Sequence, residues 1–354
     1  MSRSTRASIN LQAIRDNFNQ LRPPTGKAIA VIKADAYGHG AVTVASALSS
    51  VCDYFAIAIC DEAAPLREAG IKQPLLVLEG PHHVEDCKAA KAHQLILLAH
   101  NREQLDWLDA LGSERPRVWL KVDTGMHRLG FACEQVAPLL QHYPWLREQP
   151  TVLASHFACA DEPDNPNNAL QLKRFTALTQ TLGLAGCMAN SAASLCNPQS
   201  LFDYCRLGIG LYGASPVTGH PARDYNLTPV MSLQAQIIAL HQVKQGETVG
   251  YSQTWTAPRD SLIATVGIGY ADGYPRHCPS GTPVVVRSQR ASLVGRVSMD
   301  MITIDVTEIP GVTLGDDVEL WGQQLPVDEV ADFAGTISYE LITRVSARVP
   351  RLPV

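Results

Sequence analysis

The sequence has no pair of cysteines spaced C-x-x-C, no block of lysine and arginine, and no apolar run near the ~20 residues that span a bilayer. Each absence removes a class. Nine cysteines are an odd number, and most sit inside apolar segments such as YFAIAIC (54–60). That usage fits reduced core thiols and argues against a disulfide framework or a zinc site. The net charge of −5 provides no electrostatic pull toward nucleic acid or an anionic membrane, so neither is expected as a partner. The opening stretch, MSRSTRASINLQAIRDNF, lacks the apolar centre of a secretory signal, and a cytoplasmic location is expected.

What is present is an ordinary globular composition, 46% hydrophobic and 18% charged, in 354 residues. That length is too great for one small core and suits two domains, or one large barrel with an appendage. Short β-rich apolar runs recur at AIAVIKA (28–34), YFAIAIC (54–60), PLLVLEG (74–80), QLILLAH (94–100), RVWLKVD (117–123), TVLASHF (151–157), GCMANS (186–191) and YCRLGIG (204–210). Helical stretches lie between them. NREQLDWLDALG is one; ALQLKRFTALTQTLG is another, with Leu170, Phe175, Leu178 and Leu182 near one face and Gly183 as its C-cap. Continuous apolar strands alternating with helices describe a parallel sheet covered on both sides, and eight of them suggest an α/β fold of the (β/α)8 TIM-barrel kind. An open doubly wound sheet is the competing topology. After about residue 226 the texture becomes rich in Val, Ile and Thr with Gly and Pro punctuation, which reads as a C-terminal mainly β domain. Only VDEVADFAG and SYELITRVSARV look helical there. The expected division is therefore 1–225 and 226–354.

In such a barrel the active site lies at the C-terminal strand ends. These ends carry Lys33, then Lys121, Asp123 and Arg128, then His156, Asn190 and Ser191, and finally Arg206, Gly208 and Ile209. Cations and small hydrogen-bonding residues converge without an acidic pair. Metal hydrolysis and glycoside hydrolysis both want carboxylates, so neither fits and no metal is expected. The set suits an anionic phosphorylated ligand, with Ser191 and the amides near Gly208 and Ile209 after strands seven and eight, where barrels commonly bind phosphate. A lysine beside a phosphate pocket leaves two readings open: a phosphorylated sugar on a Schiff-base lysine, or pyridoxal 5'-phosphate held by it.

VIKADAYGHG (31–40) resembles the cofactor-lysine motif of the alanine racemase family, PLP-dependent enzymes of fold-type III. The likeness continues through LKVDTGMHRLGF (120–131), SHFACAD (155–161), NSAAS (190–194), RLGIGLYG (206–213), VGYSQTW (249–255), GYADGYPR (269–276), VSMDM (297–301) and SYELI (338–342). The resemblance implies a barrel followed by a β domain, a homodimer, and two-base racemisation of alanine with pyridoxal phosphate as cofactor. It makes Lys33 the imine lysine and one catalytic base. Tyr251 would be the second base, reaching in from the partner subunit with Met299 and Asp300. Tyr37, Tyr339, Ser191, Gly208 and Ile209 would hold the phosphate, Arg206 would face the pyridine nitrogen with His156 beside it, and Arg128 would meet the substrate carboxylate and the Tyr251 phenol. Lys121 would be the family's carbamylated lysine.

Blander readings stand beside these. Lys33 could snorkel to solvent, Tyr37 and Tyr339 could pack, His156 could be a satisfied core histidine, and Lys121 could pair with Asp123. Rival functions are a racemase of broader specificity and a non-catalytic PLP-binding protein; the latter resembles the barrel alone. Two departures from the family pattern stand out. His127 precedes Arg128 where a small or amide residue is expected, and Cys187 stands three residues before Asn190, where many relatives have histidine.

Overall fold

The computed structural model describes residues 4–354; residues 1–3, part of the stretch read for a signal segment, lie outside the described residues. All eight apolar runs are strands. In chain order they are Lys27–Val31, Tyr54–Ile57, Leu75–Val77, Leu95–Ala99, Arg117–Asp123, Val152–Ala154, Ala185–Cys187 and Tyr204–Leu207. Each pairs in parallel with the next, and the eighth pairs in parallel with the first, so the sheet closes into a barrel. Closure removes the open-sheet alternative. Strands buried on both faces need apolar side chains at most positions, and for this reason the runs do not alternate.

The helix after the sixth strand spans Pro166–Leu182, started by Asn165 and Pro166 and stopped by Gly183 at φ 64. Its buried face agrees with the one read from the sequence at Phe175, with Leu178 and Leu182 partly buried against the core, and departs from it at Leu170. Leu170 is 52% exposed, and Asn168, Gln171, Phe175 and Thr179 point inward. The polar pair has a reason to be inside. Asn168 donates to the carbonyls of Cys159 and Glu162, while Gln171 donates to the His156 carbonyl at 2.9 Å and accepts from the Ala158 amide. Together they tie down the loop leaving the sixth strand.

The second domain is an eight-stranded, mainly antiparallel sheet built around the long strand Met231–Val243, which pairs with Arg6–Ile9, Ser261–Val266 and Asp317–Trp321. Irregular register at Ile237/Ala239 and Leu233/Gln234 lets that strand serve several neighbours. Both chain ends join this sheet: Arg6–Ile9 pairs in parallel with Arg351–Pro353. The N-terminal strand thus lies outside the barrel, although it belongs to the first 225 residues. The two helical stretches are Val327–Ala334 and Ser338–Thr343, the second shorter than its sequence pattern. Among the described residues no helix is long and apolar enough to cross a membrane.

The second short helix presses on the turn after the first barrel strand. A Cβ at Gly38, whose φ is +78, would lie 2.3 Å from the Ile342 carbonyl oxygen. Only glycine permits that approach. The Arg351 Nε donates to the Gly38 carbonyl from the same side, so the β domain clamps the turn that begins at Lys33.

Candidate active site

The turn after the first barrel strand is left-handed. Ala34, Asp35, Ala36 and Tyr37 have φ of 52–53° and ψ of 40–53°. Each L-residue so held costs about 1–2 kcal/mol, so outside contacts must impose the conformation. The Ala34 amide donates to Glu62 Oε1 at 2.7 Å, and the Ala41 amide to Asp35 Oδ1 at 2.7 Å. His39 is fully buried, and its Nδ1 lies 3.1 and 3.0 Å from the carbonyls of Ala36 and Tyr37. Those oxygens only accept, so the ring is the donor. The imposed turn puts both Lys33 and Tyr37 on the wall of one cavity of about 1020 Å³ at the C-terminal end of the barrel.

Lys33 does not snorkel to solvent; its amine lies in that cavity and its pKa is lowered. Burial is the main cause and the Arg128 guanidinium adds to it, while Glu79 and Glu62 oppose both. Such a lysine holds its neutral, nucleophilic form more readily than a surface lysine.

Arg206 closes the cavity floor. Its Nη1 donates to the Cys187 carbonyl at 3.1 Å and to Cys187 Sγ at 3.0 Å, and its Nη2 donates to the Ser155 carbonyl at 2.7 Å and to His156 Nδ1 at 2.9 Å. Where a histidine was expected from relatives, the Cys187 thiol takes one of these bonds. Both Nη atoms are spent on fixing the guanidinium, and Nε has no hydrogen-bond partner among the described residues. Burial, then Arg206, Lys121 and Arg128, drive the His156 pKa far below its ordinary value.

Around the opposite wall, Ser191 Oγ accepts from the Gly208 amide at 2.8 Å and from the Gly210 amide at 3.4 Å. Its own proton therefore stays available for donation. The Tyr37 ring stacks on Tyr212 at 4.8 Å and lies 6.0 Å from Tyr339. Burial pushes the Tyr37 phenol up to about 12 and raises Tyr339 as well, which keeps both as O–H donors. Gly208 lines the cavity too, and a Cβ there would meet Tyr37 Oη at 3.0 Å. Asn190, also on the wall, caps the following short helix through Ala193 N.

Lys121 makes no salt bridge among the described residues; its nearest polar contact is the Val122 carbonyl at 3.4 Å. Asp123 is occupied elsewhere. Its Oδ1 accepts the amides of Gly125, Met126 and His127, and its Oδ2 faces His127 Nδ1 at 3.0 Å. The expected alternative of an ordinary Lys121–Asp123 pair is thus not formed, and His127 serves the loop that carries Arg128. Burial, followed by Arg206, brings the Lys121 amine down to about 7.

Tyr251, Met299 and Asp300 are not brought to this cavity within the chain. Tyr251 is 68% exposed and Met299 is 53% exposed, and Asp300 accepts from Arg348 Nη2 at 2.8 Å in the β domain. Sequence reasoning missed Glu62, which bonds the turn, and Gln171, which bonds the loop carrying His156. Gln171 had a usable signal, since it lies on the same helical face as Phe175; Glu62 had none.

Two family models match the chain: the alanine racemase N-terminal domain over residues 9–216 and the alanine racemase C-terminal domain over residues 230–353. A curated alanine racemase from Alteromonas mediterranea is 51% identical over 355 residues, covering 99% of each chain. One from Shewanella woodyi is 46% identical over 352 residues, covering 97% of each. The solved biosynthetic alanine racemase from Pseudomonas aeruginosa superposes with a TM-score of 0.93 at 45% identity, over 99% of both chains. The alanine racemase from Acinetobacter baumannii gives 0.95 at 38% identity, over 99% of this chain and 100% of that one. With the barrel and the β domain each matched, and with identity this high over nearly the full length, the chain belongs to the alanine racemase family.

Proposed function

We propose that the protein interconverts L-alanine and D-alanine, with pyridoxal phosphate attached at Lys33 and with each site completed by a second copy of the chain. The observation that carries this reading is the pairing, in one cavity, of a lysine with lowered pKa and an arginine fixed through both Nη atoms with its Nε unspent. The residues present fit the cofactor. The free Nε donor of Arg206 suits an unprotonated ring nitrogen, and the Ser191 hydroxyl, the Tyr37 and Tyr339 phenols and the side-chain-free Gly208, with the adjoining Ile209, suit a phosphate.

When bound, pyridoxal phosphate acidifies the Cα proton of an amino acid joined to it. The protein must remove that proton from one face and return one to the other. Lys33, freed by substrate, accepts or gives the proton at Nζ on one face. Tyr251 of a second copy does the same at Oη on the opposite face. Its exposure here, shared by Met299, suits a residue that waits for another chain. Arg128 binds the substrate carboxylate and, beside the phenol, favours its ionised form. Arg206 cannot accept a proton, so it would face the ring nitrogen of the bound cofactor as a donor only and would moderate the electron withdrawal that group supplies. That restraint favours return of the proton over side reactions.

Lys121 fits carbamylation. An amine near neutrality with no carboxylate partner adds carbon dioxide at Nζ and releases one proton, and the resulting anion orients the neighbouring Arg128. Crowding by Tyr339 and by Tyr251 and Met299 of the second copy restricts the side chain to a methyl group. The test is twofold. Borohydride treatment of the pure protein with its cofactor should label Lys33, and racemisation assays on alanine, serine and lysine should favour alanine. A label on another lysine removes the reading; comparable turnover of lysine moves the protein to the broader-specificity alternative.

A further inference from the structure

The left-handed turn has an unexplained dependence on one carboxylate. Glu62 lies at the start of the helical segment after the second barrel strand, 28 residues beyond Ala34 in sequence. Its Oε1 accepts from the Ala34 amide at 2.7 Å and its Oε2 from the Ala58 amide at 2.6 Å. One side chain thus joins the residue after Lys33 to the end of the neighbouring strand. Both bonds are short and charge-assisted, the strong kind. Asp61, its exposed neighbour, makes no such bond among the described residues.

Four consecutive L-residues do not adopt φ near +52° unaided. In the backbone the Ala36 amide donates to the Ile32 carbonyl at 2.8 Å, and the other side-chain hydrogen bonds of the turn act at its far end: Asp35 on Ala41, His39 on the carbonyls of Ala36 and Tyr37, and Arg351 on Gly38. At the Lys33 end, the side-chain contact that fixes the first left-handed residue is Glu62. We infer that Glu62 is a positioning residue for Lys33: by gripping the Ala34 amide it imposes the left-handed turn that aims the lysine into the cavity and carries Tyr37 to the wall. This rests on the cofactor reading of Lys33 given above and extends it to a residue outside the cavity lining.

The test compares wild type, Glu62→Gln, Asp61→Asn, Ala34→Gly and the double variant Ala34→Gly/Glu62→Gln. Each full-length protein is stripped with hydroxylamine and titrated with pyridoxal phosphate. The readouts are the visible circular-dichroism band and the borohydride-trapped Lys33 peptide. Glutamine keeps the size but offers one acceptor where two are needed, so Glu62→Gln should bind about tenfold more weakly or worse, with a weakened dichroic band. Asp61→Asn removes a charge nearby and should match wild type. Glycine takes the left-handed region without penalty, so Ala34→Gly in the Glu62→Gln background should recover about fivefold. General damage to the fold would not be repaired at that one position.

Wild-type-like binding by Glu62→Gln overturns the inference, as does equal loss in Asp61→Asn or an absent glycine rescue. If Glu62→Gln alone does not fold, a folded and loading double variant supports the inference and an unfolded one overturns it. A wild type that takes up no cofactor at Lys33 overturns the cofactor reading itself, and the wild-type titration reports that separately.

Discussion

The Arg206 Nη2 donates to His156 Nδ1 across 2.9 Å, and a guanidinium has nothing to accept, so the imidazole is neutral with its proton on Nε2. Burial and the neighbouring cations, Arg206 foremost, keep it so. A histidine held in this state steadies the arginine and is a poor proton carrier near neutrality.

Replacing Arg206 by Glu should change the outcome of the reaction as well as its rate. A carboxylate can share a proton with the ring nitrogen where guanidinium cannot. It also removes the donors that now satisfy the carbonyls of Cys187 and Ser155. Racemisation should fall about a hundredfold or more, the scale seen when a preorganised donor is lost. Pyruvate released per racemisation event, the mark of transamination, should rise. Unchanged partitioning between racemate and pyruvate would place Arg206 away from the cofactor ring.

Lys121→Met keeps the bulk of the side chain and removes the amine. If Lys121 orients Arg128 as a carbamate, the KM for alanine should rise roughly tenfold with a smaller change in kcat, because the carboxylate clamp is lost before the proton transfers are touched. Wild type equilibrated with 13C-bicarbonate should show one carbamate carbon resonance that the variant lacks. No labelled carbon and no change in KM would return Lys121 to the status of a buried amine.

His39 supplies a pH test of stability. Its pKa is driven down to about 4 from an ordinary value of 6.5, mainly by burial. Between those values the unfolded chain binds a proton that the folded chain refuses. Stability conferred above the unfolded pKa is therefore lost as pH falls toward 4, on the order of 3 kcal/mol in all. Thermal midpoints at fixed protein concentration should drop more steeply from pH 6.5 to 4.5 in wild type than in His39→Gln. Parallel slopes would mean that other groups carry the acid sensitivity.

The barrel was legible because burial on both faces leaves few polar residues inside a strand, and each of the eight runs from AIAVIKA to YCRLGIG became one. What the runs cannot reveal is pairing across distance. Arg6–Ile9 joins a strand more than two hundred residues later, and nothing local marks it for the second sheet. The helix face was misread at Leu170 because Asn168 and Gln171 are buried for their hydrogen bonds, and periodicity counts only apolar residues. The cavity residues Lys33, Lys121, His156, Ser191 and Arg206 were legible as strand ends. The left-handed turn was not, since Ala-Asp-Ala-Tyr contains no glycine and the Glu62 bond that holds its start comes from another βα unit.

The shared-site proposal makes a quantitative prediction. Lys33 lines the cavity and Tyr251 stands exposed on the β domain of the same chain, so one chain does not bring its two proposed bases together. If Tyr251 serves the other chain's Lys33, then Lys33→Ala and Tyr251→Phe are complementary defects. Each mutant homodimer should be severely impaired, because every site lacks one base. In a mixed dimer one site carries both lesions, while the other joins an intact lysine to an intact tyrosine. Random re-association of equal amounts makes about half the dimers mixed, each with one working site, so roughly a quarter of wild-type activity should return. Co-expression, with differently tagged chains to prove that mixed dimers form, supplies the sample. Activity that stays at the level of the separate mutants in proven mixed dimers would mean that Tyr251 acts within its own chain or takes no part in the proton transfers.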